Sequence, residues 1–209
     1  MLESAPKPAL RQSLRARRRM LTRSEQRAAG LAAALRLARL PQWRHARHVG
    51  MYLPADGELG LPAALWASLR ARGGRVYLPA VTARRQPLQF RPPGSVRTWQ
   101  RNLFGLRQPG AGMGAQPVRK LDLVLVPLVA FDPCGTRLGM GGGFYDRTFA
   151  RPARRPLLVG LAHDFQCCAK LKAERFDVPL AAVVTPERLW RCALTAPARP
   201  AASGRPDLP

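Results

Sequence analysis

The residues best able to do chemistry in this sequence lie together in Arg137-Leu138-Gly139-Met140-Gly141-Gly142-Gly143-Phe144-Tyr145-Asp146-Arg147. Four of the five positions from 139 to 143 are glycine. Glycine lets backbone N–H groups converge on a concave turn and lets a ligand approach with no Cβ in the way. A helix opening just after such a turn adds partial positive charge at the same place. Arg137 and Arg147 offer forked donors suited to phosphate oxygens. Asp146 offers hard oxygen to a metal that travels with phosphates. Glycines alone are also consistent with an ordinary turn, but the arginines, aromatic pair and carboxylate around them point to phosphate. They do not say which phosphate. No Gly-Lys-Ser/Thr follows, so this is not a Walker loop. No acidic residue closes a further strand about twenty residues on, as a dinucleotide fingerprint requires.

These residues need a scaffold, and the flanking sequence predicts one. Leu121 to Val126 reads as a strand buried on both faces, ended by Pro127. A loop from Leu128 to Thr136 leads into the glycines, and Phe144 to Ala150 reads as a helix stopped by Pro152. This order puts the glycines at the carboxyl end of a strand, where ligands bind in open α/β sheets. Upstream, Lys7 to Leu40 reads as two helices. Leu10, Leu14 and Leu21 line one face of the first, and Thr22 with Glu25 forms a capping box opening the second. Leu31, Leu35 and neighbouring alanines are expected to form the apolar stripe of that second helix. His48 to Leu53 is a strand, Pro54 to Gly60 a loop, and Pro62 to Arg72 a helix halted by Gly73-Gly74. Arg75 to Leu78, Pro87 to Phe90, Leu157 to Ala162 and Ala181 to Thr185, the last expected, are further strands. Pro92 to Arg119, rich in glycine and proline, reads as a functional loop. The whole predicts one α/β domain over residues 1–191, with helices on both faces of a sheet and N-terminal helices, followed by a disordered tail over 192–209.

At 209 residues the chain can bury one substantial core. No apolar run approaches the ~18 residues a membrane span needs, and no apolar stretch follows the N-terminal arginines as in a secretion signal. A cytoplasmic monomer is expected. Cys134, Cys167, Cys168 and Cys192 form no C-x-x-C pair, which favours reduced thiols over a zinc site. The three histidines fall outside the motifs and read as solvated or core residues. The net charge is +23, almost all of its basic residues arginine. That balance permits a nucleic-acid partner, so a non-catalytic nucleic-acid-binding module is the second reading. The arginines are spread along the chain without interleaved aromatics, which favours a solvated surface instead.

Several segments together resemble the 5-formyltetrahydrofolate cyclo-ligase, or 5,10-methenyltetrahydrofolate synthetase, family over most of residues 7–190. Lys7-x-x-Leu10-Arg11-x-x-x-Arg15-x-x-Arg18-x-x-Leu21-Thr22 is similar to its opening helix. Arg137 to Arg147 is similar to its signature Arg-Leu-Gly-x-Gly-x-Gly-Tyr-Tyr-Asp. Pro127 to Asp132, Asn102 to Pro109, and Gly160-Leu161-Ala162 with Gln166 resemble weaker motifs in the same order. The resemblance implies a Rossmann-like three-layer α/β/α sandwich. It implies an ATP-dependent ring closure in which ATP phosphorylates the formyl oxygen of 5-formyltetrahydrofolate, N10 attacks the activated carbon, and phosphate leaves. It implies that Lys7 and Arg11 reach the ATP phosphates, and that Arg137, Leu138, Gly139, Met140, Gly141, Gly142, Gly143, Phe144 and Tyr145 cradle the nucleotide. Asp146 would bind magnesium, with Arg137 and Glu58 serving the chemistry. Glu58 would hydrogen-bond the folate, with Tyr52, Trp99, Phe144 and Tyr145 packing on it. For each a plain alternative stays open: solvated charges for Lys7 and Arg11, core aromatics for Tyr52 and Trp99, a loop carboxylate for Glu58. The chain departs from the family pattern at Met140, Gln108, Leu61, Phe176 and Ala181. Gln108 replaces a usual glutamate. Ala181 replaces an aspartate thought to help hold magnesium in the family.

Overall fold

The computed structural model describes residues 6–150 and 155–192. The expected tail therefore lies outside the described residues except for Cys192, which is buried and donates its N–H to Ala181 O. Pro152, the expected stop to the helix after the glycines, also lies outside them.

The chain opens with α1 (Lys7–Met20), α2 (Arg23–Ala38) and α3 (Pro41–His45), then β1 (His48–Gly50), α4 (Ala63–Ala71), β2 (Arg75–Ala80) and β3 (Gln89–Arg91). A hairpin of β4 (Trp99–Arg101) and β5 (Arg107–Pro109) follows. Then come β6 (Leu123–Pro127), β7 (Ala130–Phe131), β8 (Arg137–Leu138), α5 (Phe144–Phe149), β9 (Leu157–Leu161), β10 (Ala182–Val184) and β11 (Leu189–Arg191). Seven strands form one sheet in the order β11-β10-β9-β6-β1-β2-β3. The five central strands are parallel; β3 and β11 are antiparallel edges.

Alternation along the strands builds two cores. In β6, Leu123 and Leu125 face α2, α3 and α4, while Val124 and Val126 face α5 and the segment around Phe131. Helices therefore cover both faces, as expected of a three-layer α/β sandwich. A third, smaller cluster sets Leu10 and Leu14 of α1 against Val129, Ala130 and Leu138, so α1 lies beside the glycine segment.

Some local expectations are corrected. The buried face of α2 is Gly30, Ala33, Ala34 and Leu37; Leu31 and Leu35 point to solvent. Small residues let α2 sit close to its neighbours, which leucines at the same positions would prevent. On α1 the buried row runs Leu10, Leu14, Arg18, so an arginine occupies the third position of a leucine stripe. The expected loop over 92–119 contains the β4–β5 hairpin, and β11 follows the strand expected to be last. The Thr22 capping box forms as expected: Thr22 Oγ1 accepts from Glu25 N, and Glu25 accepts from Thr22 N. Gln108, one of the departures noted from the sequence, has a structural account. It is buried, its Oε1 accepts from Val81 N at 2.8 Å, and its Nε2 donates to Val81 O at 3.2 Å. An amide satisfies both backbone groups; a carboxylate has no donor for the second.

Candidate active site

Strand order decides where a site can form. The chain leaves β1 through α4 towards β2 on one side, and leaves β6 through α5 towards β9 on the other. Strands β1 and β6 are neighbours, so a crevice opens outside their carboxyl ends, the usual ligand position in such sheets. The loop after β1 carries Tyr52 to Gly60, and the segment after β6 leads through the β7–β8 pair to the glycines. Residues about eighty positions apart in sequence thus meet at one crevice.

On the β6 side, Gly141 has φ +94° and Gly143 has φ +60°, so two glycines adopt conformations that L side chains rarely take. Arg11 of α1 donates from Nε to Gly139 O at 2.9 Å, which ties α1 to the loop. Arg137 is buried, donates to Val178 O, and pairs with Asp146, whose Oδ1 also accepts from Val178 N. Arg147 donates to Gly142 O. The helix after the glycines spans only Phe144–Phe149, so positive character here comes from arginines and loop N–H groups more than from a helix end. Met140 is exposed on the rim.

On the β1 side, Tyr52 is buried and donates its hydroxyl to Leu59 O at 2.6 Å, which shapes the loop holding Glu58. Glu58 Oε2 accepts from Ala55 N at 3.1 Å. Burial pushes the Glu58 carboxyl above its ordinary range, only partly offset by the Ala55 N–H and the Arg18 charge. The Glu58 charge in turn adds to burial in holding the Tyr52 and Tyr145 hydroxyls well above the usual tyrosine range. Glu58, Tyr52 and Tyr145 therefore share one electrostatic neighbourhood across the crevice.

The other expected residues fall nearby or to the side. Lys7 pairs with Glu174 at 2.6 Å, an exposed contact that a phosphate can displace. Trp99 is half-buried against the α2–α4 face, with the Arg107 guanidinium 5.1 Å from its ring centre. Its hairpin instead brings Phe104 to the site, edge-on to Phe144 at 5.7 Å between centroids. The sequence trace of this is the apolar set Leu103, Phe104 and Leu106 inside the middle motif, which the fold leaves exposed. Gln166 reaches from beyond β9 to donate to Leu128 O and Val129 O, pinning the exit of β6. His163 is not solvated: burial lowers its basicity, and its ring stacks on Phe165. Ala181 is held by Leu158 O and the Cys192 N–H, at the amino end of β9.

Among the described residues no three His, Cys, Asp or Glu side chains are grouped to hold a metal. The donor set at the glycines is one partly exposed carboxylate, Asp146, one of whose oxygens is already bonded. That set fits magnesium arriving with phosphates, which keeps several of its own waters and takes one or two carboxylates.

Nor do the α1 arginines form a free basic stripe. Arg15, Arg18 and Arg19 all pair with Asp56, and Arg17 lies 4.3 Å over the Phe165 ring. No helix among the described residues is long and apolar enough to cross a membrane.

Known proteins resemble this chain along most of its length. The family model described as the 5-formyltetrahydrofolate cyclo-ligase family matches residues 3–186. The 5-formyltetrahydrofolate cyclo-ligase of Escherichia coli K12 is 39% identical over 183 residues, covering 85% of this chain and 98% of that protein. The Haemophilus influenzae protein of the same name is 34% identical over 177 residues, covering 82% and 92%. The NMR structure of Aquifex aeolicus 5,10-methenyltetrahydrofolate synthetase superposes with a TM-score of 0.74 at 28% identity, covering 88% of this chain and 92% of that one. A family model matched over residues 3–186, and a relative 39% identical along 98% of its own length, place the chain in the 5-formyltetrahydrofolate cyclo-ligase family.

Proposed function

We propose that this enzyme converts 5-formyltetrahydrofolate and ATP to 5,10-methenyltetrahydrofolate, ADP and phosphate, with the nucleotide on the β6 side of the crevice and the folate on the β1 side. The observation that carries the assignment of halves is the meeting of the Arg137–Asp146 loop and the Glu58 loop outside adjacent strands β1 and β6.

The chemical difficulty is a poor leaving group, since a formamide oxygen does not depart. Transfer of the γ-phosphoryl group to that oxygen gives ADP and an activated carbon. The N10 lone pair then forms the new C–N bond, the C–O bond breaks, and the oxygen leaves as phosphate while N10 loses its proton. Such transfer needs positioning and charge neutralisation more than covalent help. Arg137 and the N–H groups of Gly139 to Gly143 supply fixed donors for the phosphates, while Lys7 and Arg11 approach from α1. Asp146 would hold magnesium, which would supply positive charge to offset that of the phosphates. Glu58, partly withdrawn from water, accepts hydrogen bonds from folate N–H groups. Tyr52, Tyr145, Phe144 and Phe104 offer flat surfaces to the ring systems.

The test is direct. Purified protein with 5-formyltetrahydrofolate, ATP and magnesium should develop the absorbance of methenyltetrahydrofolate and release one phosphate per product. Absence of an ATP-dependent change from folded protein refutes the reading.

A further inference from the structure

We propose that Arg18 and Asp56 are positioning residues: they clamp the loop that carries Glu58 onto α1 and so fix the folate side of the site relative to the nucleotide side. This rests on the reading of Glu58 as a folate contact.

The geometry is unusual for an arginine. Arg18 is 1% exposed, on the row that otherwise holds Leu10 and Leu14. Burying a guanidinium is costly unless it is paired. Arg18 donates through one terminal nitrogen to Leu128 O at 3.0 Å, just past β6, and through the other to Asp56 Oδ2 at 2.9 Å, in the loop past β1. One fork therefore spans the switch point, joining the two loops that form the crevice. Asp56 has φ +51°, an uncommon conformation for a residue with a side chain, and Arg15 and Arg19 hold it from the same helix. Next to it, Gly57 lies so close to α1 that a Cβ there would sit 2.7 Å from Arg18 O. Gln26 of α2 donates to both Arg18 O and Gly57 O, at 3.3 and 3.2 Å, closing the joint. Glu58 is the next residue. Lys7 and Arg11 are on the same helix two to three turns earlier, so α1 is a rigid strut with a nucleotide end and a folate end.

The charges that face Glu58 make the test selective. Arg15 and Arg18 on α1 favour its ionised form, and Asp56 in its own loop disfavours it. Tyr52 and Tyr145 are neutral neighbours from β1's exit and α5, His163 comes from β9's exit near Arg18, and Arg19 and Arg27 line the same cleft of about 580 Å³. A purely structural defect would move activity in both variants without opposed shifts in its pH dependence. Loss of the clamp's charges must shift it in opposite directions.

The experiment compares Arg18→Met, Arg18→Lys, Asp56→Asn, Arg19→Met and Glu58→Gln by kcat/KM for 5-formyltetrahydrofolate against pH. Arg18→Met is expected to lower kcat/KM on the order of ten- to hundredfold. Arg19→Met, which removes an exposed partner of the same carboxylate, should stay within about twofold. The acid limb should move to higher pH in Arg18→Met, return towards its original position in Arg18→Lys, and move to lower pH in Asp56→Asn. An unmoved limb, or movement in one direction in both charge variants, overturns the proposal, as does equal damage from Arg19→Met. Should Arg18→Met fail to fold, Asp56→Asn decides, because Gly57 and Gln26 still hold its loop. If Glu58→Gln leaves kcat/KM unchanged, the reading of Glu58 itself falls, an outcome distinct from an impaired Glu58→Gln beside normal Arg18 and Asp56 variants.

Discussion

Replacing Asp146 with asparagine separates two roles that meet on one carboxylate. Its Oδ1 accepts from buried Arg137 and from Val178 N, and the same residue is the candidate magnesium ligand. Asparagine keeps the shape and can still accept both bonds, but the charge is gone. A hydrogen bond to a charged group is worth about 1.5–3 kcal/mol against about 0.5–1.5 for a neutral one. The Arg137 bond stays charge-assisted through its guanidinium, so the loss falls mainly on the Val178 bond, and with a screened ion-pair part for a carboxylate 25% exposed it comes to about 1–2 kcal/mol. For a chain of this size, that lowers Tm by about 2–8 °C. Thermal melting without nucleotide or metal measures this term alone. A magnesium titration of turnover at saturating ATP measures the other, and the concentration for half-maximal rate should rise several-fold or more, since a neutral amide holds a hard cation poorly. An unchanged Tm refutes the ion pair. A lowered Tm with an unchanged magnesium titration refutes the metal assignment and leaves Asp146 as the anchor of Arg137.

Three further variants probe the rest of the site and scaffold. Lys7→Ala and Arg11→Ala should each weaken ATP binding by calorimetry about tenfold or more, the worth of one charge-assisted hydrogen bond, whereas Arg17→Ala, which loses only its position over Phe165, should not; equal losses would mean general electrostatics. Gly141→Val should stay folded, losing about 1–3 kcal/mol to strain at φ +94°, yet fail to bind ATP, because its side chain occupies the space in front of Arg11; normal binding by a folded variant would refute the cradle. Gln108→Glu should cost about 1–3 kcal/mol in denaturant melts. A buried carboxyl facing Val81 O disfavours the charged form, so its folded pKa lies above the unfolded one and the loss should grow as pH rises through that interval; equal stability at pH 5 and 8 would show the site is wet.

Much of the candidate site was legible because it is local. The glycine loop, its arginine and its carboxylate lie within eleven consecutive positions, and the buried strand before them announces itself by an unbroken apolar run. The Thr22 capping box and the Leu10 and Leu14 positions are likewise short-range patterns and form as expected, while the expected third member of the row, Leu21, falls past the helix end and Arg18 takes its place. What sequence periodicity could not assign was the use of each face once helices pack. Leu31 and Leu35 look like a core stripe, but α2 turns its small residues inward, because a close approach needs little volume and leucines can remain in water at modest cost. Arg18 looks like one more surface charge among many, and only the fold supplies the Leu128 carbonyl and Asp56 carboxylate that make its burial tolerable. The same holds for the crevice. Glu58 and Arg137 are far apart in sequence, and nothing local requires β1 and β6 to be neighbours. The parallel order of the sheet makes them so, since each crossover must pack a helix or loop on a face before the next strand can pair. The sequence by itself determined which residues could handle phosphate; the tertiary structure decided which carboxylate and aromatics face them, because that pairing is carried by strand order and by one buried guanidinium and not by spacing along the chain.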